Sequence, residues 1–132
     1  MTYRHTLRVR YVECDMQGIV FNSHYLTYCD DAFGAWVENV MPKAMDYVGN
    51  DGSFDVMVKK AVLTWHEAVR FGDTLHLDCA VSRWGRTSFD VRFAGSVAGV
   101  ERFDVVITYV NVEPGSHSPS PVTDDVKAAL AP

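Results

Sequence analysis

Residues 11–36, YVECDMQGIVFNSHYLTYCDDAFGAW, contain the junction between two different hydrophobic patterns. Before it, apolar and polar residues alternate, which predicts a half-buried strand over 3–13 with Tyr11 on its apolar face. After it, apolar residues recur every three or four positions, which predicts a helix. Asp15 and Gly18 lie between the two patterns. The junction therefore places a single carboxylate just before the N-terminus of a helix.

The predicted helix is buried over most of its circumference. We expect Asn22 or Ser23 to be its N-cap, and Pro42 ends it because proline cannot continue a helix. About 18 residues make a helix about 27 Å long. Its apolar stripe is wide and aromatic, and consists of Tyr25, Tyr28, Cys29, Ala32, Phe33, Trp36, Val37 and Val40.

The rest of the chain is mainly a series of predicted strands. Alternation and glycine-containing turns place them at 56–69, 73–84, 87–98 and 101–112. We expect residues 41–56 to form a loop with a short helical turn, and Thr123 to cap a short C-terminal helix. One strand, one long helix and four strands predict an α+β fold, in which a five-stranded antiparallel sheet curls around the helix. Residues 1–132 are expected to form a single domain.

The edge of such a sheet predicts self-association. Strands of ten or more residues leave a long row of unpaired backbone groups, which soluble proteins seldom leave exposed. Pairing of two edges satisfies those groups. We therefore expect a homodimer or a dimer of dimers.

Charge and composition argue against two classes of partner. The chain has 12 basic and 17 acidic residues, a net charge of −5, and no basic run that would bind a nucleic-acid backbone. No segment approaches the about 18 apolar residues of a membrane span. The charged N-terminus also lacks the apolar region of a signal peptide. We therefore expect a cytoplasmic protein with no nucleic-acid or membrane partner.

Cysteines and histidines do not form a metal motif. Cys14, Cys29 and Cys79 lack C-x-x-C spacing and are interpreted as reduced, buried residues, with a catalytic thiol at Cys14 as a minor alternative. The five histidines are scattered, and none pairs with a carboxylate or a cysteine at ligand spacing. No catalytic metal and no cofactor are expected.

The junction resembles that of the hotdog-fold acyl-CoA thioesterases of the 4-hydroxybenzoyl-CoA thioesterase type. The pattern of that family is an aspartate, two residues, a glycine, an apolar pair, a short polar stretch and a tyrosine that opens the central helix. Further on, VRFGDTLHLDCAV (69–81) and GRTSFDVRF (85–93) are similar to two other segments of the family. The likeness thus covers nearly the whole chain. The residues that match the junction pattern are Asp15, Gly18, Ile19, Val20 and Tyr25.

This resemblance implies a hotdog fold and the hydrolysis of a small or medium acyl-CoA, aromatic acyl groups included. It implies that Asp15 attacks the thioester carbonyl or activates a water, and that the backbone N–H of Asn22 binds the thioester oxygen. A helix N-terminus suits that role, because its first N–H groups lack intrahelical partners and the helix dipole is positive there. Gly18 fits a need for close backbone approach or a positive φ.

Further residues are assigned to the site, three of them because they cluster at one predicted turn. Tyr25 is expected to contact the substrate, and Arg83, Arg86 and Ser88 to bind the CoA phosphates and pantetheine. His24, in the first helical turn, is included as a catalytic candidate. Many relatives carry histidine where this chain has asparagine at position 22, and asparagine where it has His24. The parts played by these two side chains are therefore left open.

Each assignment has an alternative. Asp15 is also explained as a turn residue that caps local backbone, and Asp30 and Asp31 are rival carboxylates on the helix. The arginines are also explained as surface charge, and His66 is interpreted as structural. At the level of function, the alternatives are a hotdog hydratase or dehydratase and a non-catalytic acyl-CoA-binding protein. Five residues line either an acyl pocket or the core, namely Met41, Met45, Phe54, Met57 and Trp65.

Overall fold

A computed structural model describes residues 2–42 and 54–132 of the chain. A short 3-10 helix, Tyr11–Glu13, follows the first strand. The α+β prediction is confirmed, while most of the predicted loop at 41–56 lies outside the described residues. The elements are β1 (Tyr3–Arg8), α1 (His24–Val40), β2 (Val56–Trp65), β3 (Thr74–Trp84), β4 (Ser88–Val97), β5 (Val100–Asn111) and α2 (Asp124–Leu130).

The five strands form one antiparallel sheet in the order β1-β3-β4-β5-β2. Alternate residues of β4 and β5 are buried, and they share one core with the apolar stripe of α1. Phe33 of α1 stacks on Tyr109 of β5 with ring centroids 4.3 Å apart. Trp36 is 1% exposed, and burial of such a side chain contributes about 1.5–3 kcal/mol. This is the expected hotdog arrangement of a sheet packed on one long helix.

The C-terminal helix begins as predicted. The Thr123 hydroxyl accepts a hydrogen bond from the N–H of Val126 at 3.3 Å. Leu130, at the end of α2, is completely buried in the common core. The helix is therefore anchored at both ends.

The first strand is shorter than predicted. β1 ends at Arg8, and Tyr11, expected on the apolar face, is 81% exposed. The chain turns into the 3-10 helix because the carboxylate of Glu13 accepts hydrogen bonds from the N–H and the guanidinium of Arg10. Glu13 is thereby buried, although glutamate is a residue type that is mostly exposed in folded proteins.

The second strand also ends early, at Trp65 rather than at residue 69. The N–H groups of His66 and Glu67 both donate to the carbonyl of Arg102, at 2.8 and 3.0 Å. Because two successive residues share one partner on β5, the regular hydrogen-bond ladder between β2 and β5 ends here. The segment after Trp65 therefore leaves the sheet and becomes available to another part of the fold.

β2 is an edge of the sheet, and most of its apolar side chains are exposed, as are Lys59 and Lys60. Met57, Val58, Val62 and Trp65 each expose about half of their surface. The backbone of α1 lies nearest to β1 and β3, at the opposite edge of the sheet from β2. A ten-residue edge strand with exposed apolar side chains is a surface that folded proteins usually pair or cover.

Candidate active site

Asp15 lies in a tight turn before α1. Its carbonyl accepts the N–H of Gly18 at 3.0 Å, and its Oδ1 accepts the N–H of Gln17 at 2.7 Å. Gly18 has a φ of 75°, in the left-handed region that favours glycine. The turn role considered for Asp15 is thus present, but it occupies one carboxylate oxygen. No partner is recorded for Oδ2 within residues 2–42 and 54–132.

The turn is fixed against the segment that follows β2. The N–H of Val20 donates to the carbonyl of Val69 at 2.8 Å, and the N–H of Phe71 donates to the carbonyl of Gly18 at 3.0 Å. Ile19 and Arg70 form an isolated antiparallel bridge. The early end of β2 therefore supplies the backbone that holds the Asp15 turn in place.

A cleft of about 410 Å³ lies between the Asp15 turn and the segment after β2. Its volume is within the range of small-molecule sites, which is about 300–1,000 Å³. Three residues predicted from the sequence meet there, namely Asp15, Asn22 and Tyr25. The lining residues are Asp15, Ile19, Val20, Phe21, Asn22, Tyr25, Trp65, His66, Glu67 and Ala68.

The N-terminus of α1 opens into this cleft. The N–H of His24 donates to the carbonyl of Phe21 at 3.0 Å, so the chain is already turning before the helix begins. Ser23 is the N-cap, and its side chain makes no capping hydrogen bond. The described parts of the chain contain no acceptor for the N–H of Asn22. That N–H is a backbone donor at the positive end of a helix, available to a bound oxygen.

One wall of the cleft is aromatic. Tyr25 is 2% exposed and meets the rings of Phe103 and Trp65 edge to face, at centroid distances of 4.8 and 5.9 Å. Its hydroxyl accepts the N–H of Val69 at 3.4 Å, and burial raises the pKa of this phenol. The wall is therefore neutral and largely apolar. Of the acyl-pocket candidates, Trp65 lines the cleft, and Met45 lies outside the described residues.

Two ionisable side chains of the cleft were not assigned to it from the sequence. His66 was interpreted as structural, and Glu67 was not considered. Both line the cleft, and Glu67 is 3.7 Å from the guanidinium of Arg102. The continuous strand pattern through residue 69 concealed the point where the chain leaves the sheet. His24, in contrast, lies outside the cleft lining, with its ring 6.4 Å from that of Phe21.

The predicted CoA-binding cluster does not meet the cleft within one protomer. Ser88 begins β4, whereas Gly95 of β4 is level with Phe103 and, through it, with Trp65. From Ser88 to Gly95 is 95 − 88 = 7 residues of strand, or about 23 Å at ~3.3 Å per residue. The separation between this cluster and the cleft is set by the register of the sheet. It could not be predicted from the position of the cluster at a turn in the sequence.

Within that cluster, Arg83 already has a carboxylate partner. Its Nε donates to Asp90 at 2.9 Å, and its Nη2 lies 3.2 Å from the Ser88 hydroxyl. The hydrogen bond from Arg83 holds the pKa of Asp90 below its ordinary value. Arg86 is exposed at the turn between β3 and β4.

Three rival nucleophiles lie outside the cleft lining. Asp31 is bound to the ring of His5 at 2.8 Å, and burial raises the pKa of Asp30. For Cys14, burial and then the charges of Glu13 and Asp15 raise the pKa of the thiol, which disfavours the thiolate that a nucleophilic cysteine needs.

Residues 2–42 and 54–132 contain neither a cluster of metal ligands nor a membrane-spanning helix. No group of three or more His, Cys, Asp or Glu side chains there has the arrangement of a metal site. No helix in the same residues has the length and hydrophobicity needed to cross a bilayer.

Solved thioesterases share this fold. A gentisyl-coenzyme A thioesterase is 16% identical with a TM-score of 0.82, and the match covers 97% of this chain and 98% of the other. A 1,4-dihydroxy-2-naphthoyl-CoA thioesterase from Synechocystis is 16% identical with a TM-score of 0.80, covering 97% and 94%. A thioesterase from Thermus thermophilus, complexed with coenzyme A and Zn, is 18% identical with a TM-score of 0.82, covering 96% and 90%. At such identities the likeness establishes the fold alone.

The sequence of the chain identifies its family. No curated protein matches it. Residues 9–130, which include the Asp15 turn, the central helix and all of β2 to β5, match the model of one family. This chain therefore belongs to the thioesterase-like superfamily.

Proposed function

We propose that this protein hydrolyses acyl-CoA thioesters to the free acid and CoA in the cleft at the N-terminus of α1. The observation that carries the proposal is that Asp15 and Asn22, the latter just before the N-terminus of α1, line the same cleft. Family membership supports thioester hydrolysis as the reaction. The aromatic wall supports a small or medium acyl group, aromatic groups included.

In the proposed reaction, the thioester oxygen accepts a hydrogen bond from the N–H of Asn22. The bond strengthens as the carbonyl oxygen becomes negative in the transition state, and the positive end of α1 stabilises the same charge. The donor is fixed before substrate binds, because the N–H groups of Phe21 and His24 on either side of it are hydrogen-bonded. Loss of one such donor typically lowers the rate about 10²–10³-fold.

Asp15 acts by one of two routes that give the same products. It attacks the carbonyl carbon and expels CoA as a thiolate, leaving a mixed anhydride that water then cleaves. Alternatively, it takes a proton from a water that attacks the carbonyl carbon directly. In both routes one water is consumed, the carbon–sulfur bond breaks, and the products are a carboxylic acid and CoA. The bond from Gln17 to Oδ1 orients the carboxylate with Oδ2 available to react.

We further propose a homodimer in which two β2 edges pair antiparallel. Such pairing sets Trp65 of one copy beside the Val56 end of the other. The Val56 end is level with the turn between β3 and β4, because Val58 pairs with Tyr109 and Tyr109 with Phe89. The exposed apolar residues of β2 support this edge as the interface.

This pairing also allows the predicted CoA-binding cluster of one copy to contact a substrate in the cleft of the other. Arg83, Arg86 and Ser88 of a second copy then lie at the same end of the joined sheet as the cleft. The guanidinium of Arg86 is exposed there and suits a phosphate group of CoA. Further pairing into a dimer of dimers remains an expectation from the sequence.

Thiol release from a panel of acyl-CoAs tests the proposed function. The panel contains acetyl-, hexanoyl-, benzoyl- and crotonyl-CoA, with free CoA detected by a thiol reagent. Free CoA from at least one of them, without hydration of the crotonyl double bond, supports the thioesterase. Hydration of crotonyl-CoA without thiol release would favour a hydratase. Tight binding without either reaction would favour a non-catalytic acyl-CoA-binding protein.

A further inference from the structure

Beside the cleft lies a buried carboxylate that the proposed chemistry does not use. Glu13 is 7% exposed and precedes Asp15 by two residues. We propose that Glu13 is a positioning residue that holds Asp15 and the N–H of Asn22 in their relative places, by tying their loop to helix α1. The inference rests on the proposed function, since these are the two groups assigned to the reaction.

Both carboxylate oxygens of Glu13 accept hydrogen bonds. Oε1 accepts the N–H of Arg10 at 2.8 Å and the hydroxyl of Tyr28 at 2.9 Å. Oε2 accepts Nε of Arg10 at 2.8 Å and lies 2.7 Å from Nη2 of the same guanidinium. Burial of a carboxylate is costly unless it is paired and hydrogen-bonded, and both conditions are met here. The group is therefore a rigid point in the fold.

The backbone of Glu13 is hydrogen-bonded to the residue before Asn22, whose N–H is the proposed donor to the thioester oxygen. Its carbonyl accepts the N–H of Phe21 at 2.9 Å, and Phe21 immediately precedes Asn22. The carbonyl of Phe21 in turn accepts the N–H of His24, the first residue of α1. A shift of Glu13 therefore moves the peptide group that carries the N–H of Asn22.

The link to Tyr28 fixes the loop to the helix. Tyr28 is 3% exposed, lies in the second turn of α1, and packs edge to face against Tyr25, with ring centroids 6.5 Å apart. Tyr25 lines the cleft. One carboxylate thus connects the turn that carries Asp15, the peptide before Asn22 and the buried face of the helix. Misplacement of reacting groups by about 1 Å can cost about 10² in rate, so this connection is expected to matter for turnover.

The test compares Glu13→Gln and Tyr28→Phe with Asp78→Asn. Glu13→Gln replaces an oxygen that accepts from Arg10 with an N–H₂ group, which cannot accept. Tyr28→Phe removes only the hydrogen bond from the Tyr28 hydroxyl to Glu13. Asp78 is a matched control, because Arg4 binds it in the same bidentate way, at 2.7 and 2.9 Å. It lies outside the cleft lining, where β3 pairs with β1 at the opposite edge of the sheet from β2. The measurements are kcat and KM by thiol release, and hydrogen exchange of the Phe21 amide by NMR.

We expect Glu13→Gln to lower kcat at least about tenfold and to leave KM within about twofold, as for a loss confined to the transition state. Tyr28→Phe, which keeps its ring in the core, should lower kcat by a smaller factor in the same direction. Exchange of the Phe21 amide should accelerate in both variants and remain unchanged in Asp78→Asn. The decrease caused by Glu13→Gln should also be smaller in an Asp15→Asn background, because interacting residues are not additive.

Several results would overturn the inference. One is a kcat for Glu13→Gln and Tyr28→Phe that equals that of Asp78→Asn. Another is a decrease of the same factor in the presence and absence of Asp15. If Glu13→Gln does not fold, Tyr28→Phe alone decides. A wild-type protein that releases no thiol from any substrate refutes the proposed function, whereas an active wild type with an unaffected Glu13→Gln refutes only the positioning role.

Discussion

Asp15 is the residue on which the proposed chemistry depends. Asp15→Asn keeps an oxygen for the N–H of Gln17 but can neither attack a carbonyl nor accept a proton from water. We expect kcat to fall by at least about 10², the lower range for a positioned acid–base group. KM should change little, because the carboxylate acts mainly in the transition state. Thiol-release kinetics measure both, and circular dichroism checks that the fold persists.

Asp31→Asn is the control for this substitution. It removes a carboxylate of the same type whose partner is His5, outside the cleft lining, and it should retain most activity. If Asp15→Asn turned over normally while Asp31→Asn or Asp30→Asn were inactive, the catalytic acid would lie on the helix.

Glu13 also makes the free energy of unfolding depend on pH. Burial by itself raises the pKa of Glu13, but the hydrogen bonds from the N–H and guanidinium of Arg10 and from Tyr28 together leave it below its ordinary value. A lowered pKa stabilises the fold above the unfolded value of about 4.3, and this stabilisation is lost as the pH falls through the native pKa. Urea unfolding should therefore show wild type more stable than Glu13→Gln at pH 7, by a margin that shrinks at pH 3. A margin that grew in acid would contradict this.

Among the secondary-structure elements, β4 and β5 pack closely because Gly95 has no side chain. A Cβ at Gly95 of β4 would overlap the ring of Phe103 on β5, which is completely buried and supports Tyr25 in the cleft wall. Gly95→Ala should therefore destabilise the protein by about 1–3 kcal/mol, the usual cost of overpacking a core. Urea unfolding measures the change.

Gly34→Ala is the matched control for this substitution. It is the same change within α1, where a Cβ meets nothing within 4 Å. It should stabilise the protein by about 0.5–1 kcal/mol, because alanine loses less backbone freedom in a helix. Equal and small effects at the two positions would mean that Phe103 yields easily and that the strand packing is not tight.

At the scale of the whole molecule, the β2 edge predicts a dimer. The wild-type protein should sediment at micromolar concentration with about twice the chain mass of 14.8 kDa. Val58 is 57% exposed on this edge, and Val58→Lys would bury a charge in the proposed interface. The variant should sediment as a monomer. Its KM for acyl-CoA should also rise, because Arg86 of the second copy is lost.

Val100→Lys is the control for assembly. Val100 is 51% exposed but begins β5 at a turn, away from the β2 edge. It should leave the mass unchanged. Wild type that sediments as a monomer would refute the dimer, and a dimeric Val58→Lys would move the interface to another surface.

Features that depend on local chemistry could be predicted from the amino-acid sequence. The aromatic stripe predicted α1, the alternation predicted β3, β4 and β5 to within two residues, and the Thr123 cap predicted the start of α2. The motif around Asp15 led to the family that residues 9–130 match. These succeed because periodicity, capping and turn residues act over a few neighbouring positions. The positive φ of Gly18 belongs with them.

The residues that lie opposite Asp15 in the cleft, in contrast, depend on long-range packing. His66 and Glu67 enter the cleft because two N–H groups share the carbonyl of Arg102 and end the β2 ladder, a long-range event that a strand pattern does not record. The register of β4 likewise removed Ser88 and its neighbouring arginines from the cleft of their own protomer. Contacts between residues far apart in the chain follow from how whole strands pair, and pairing depends on every residue of both strands at once.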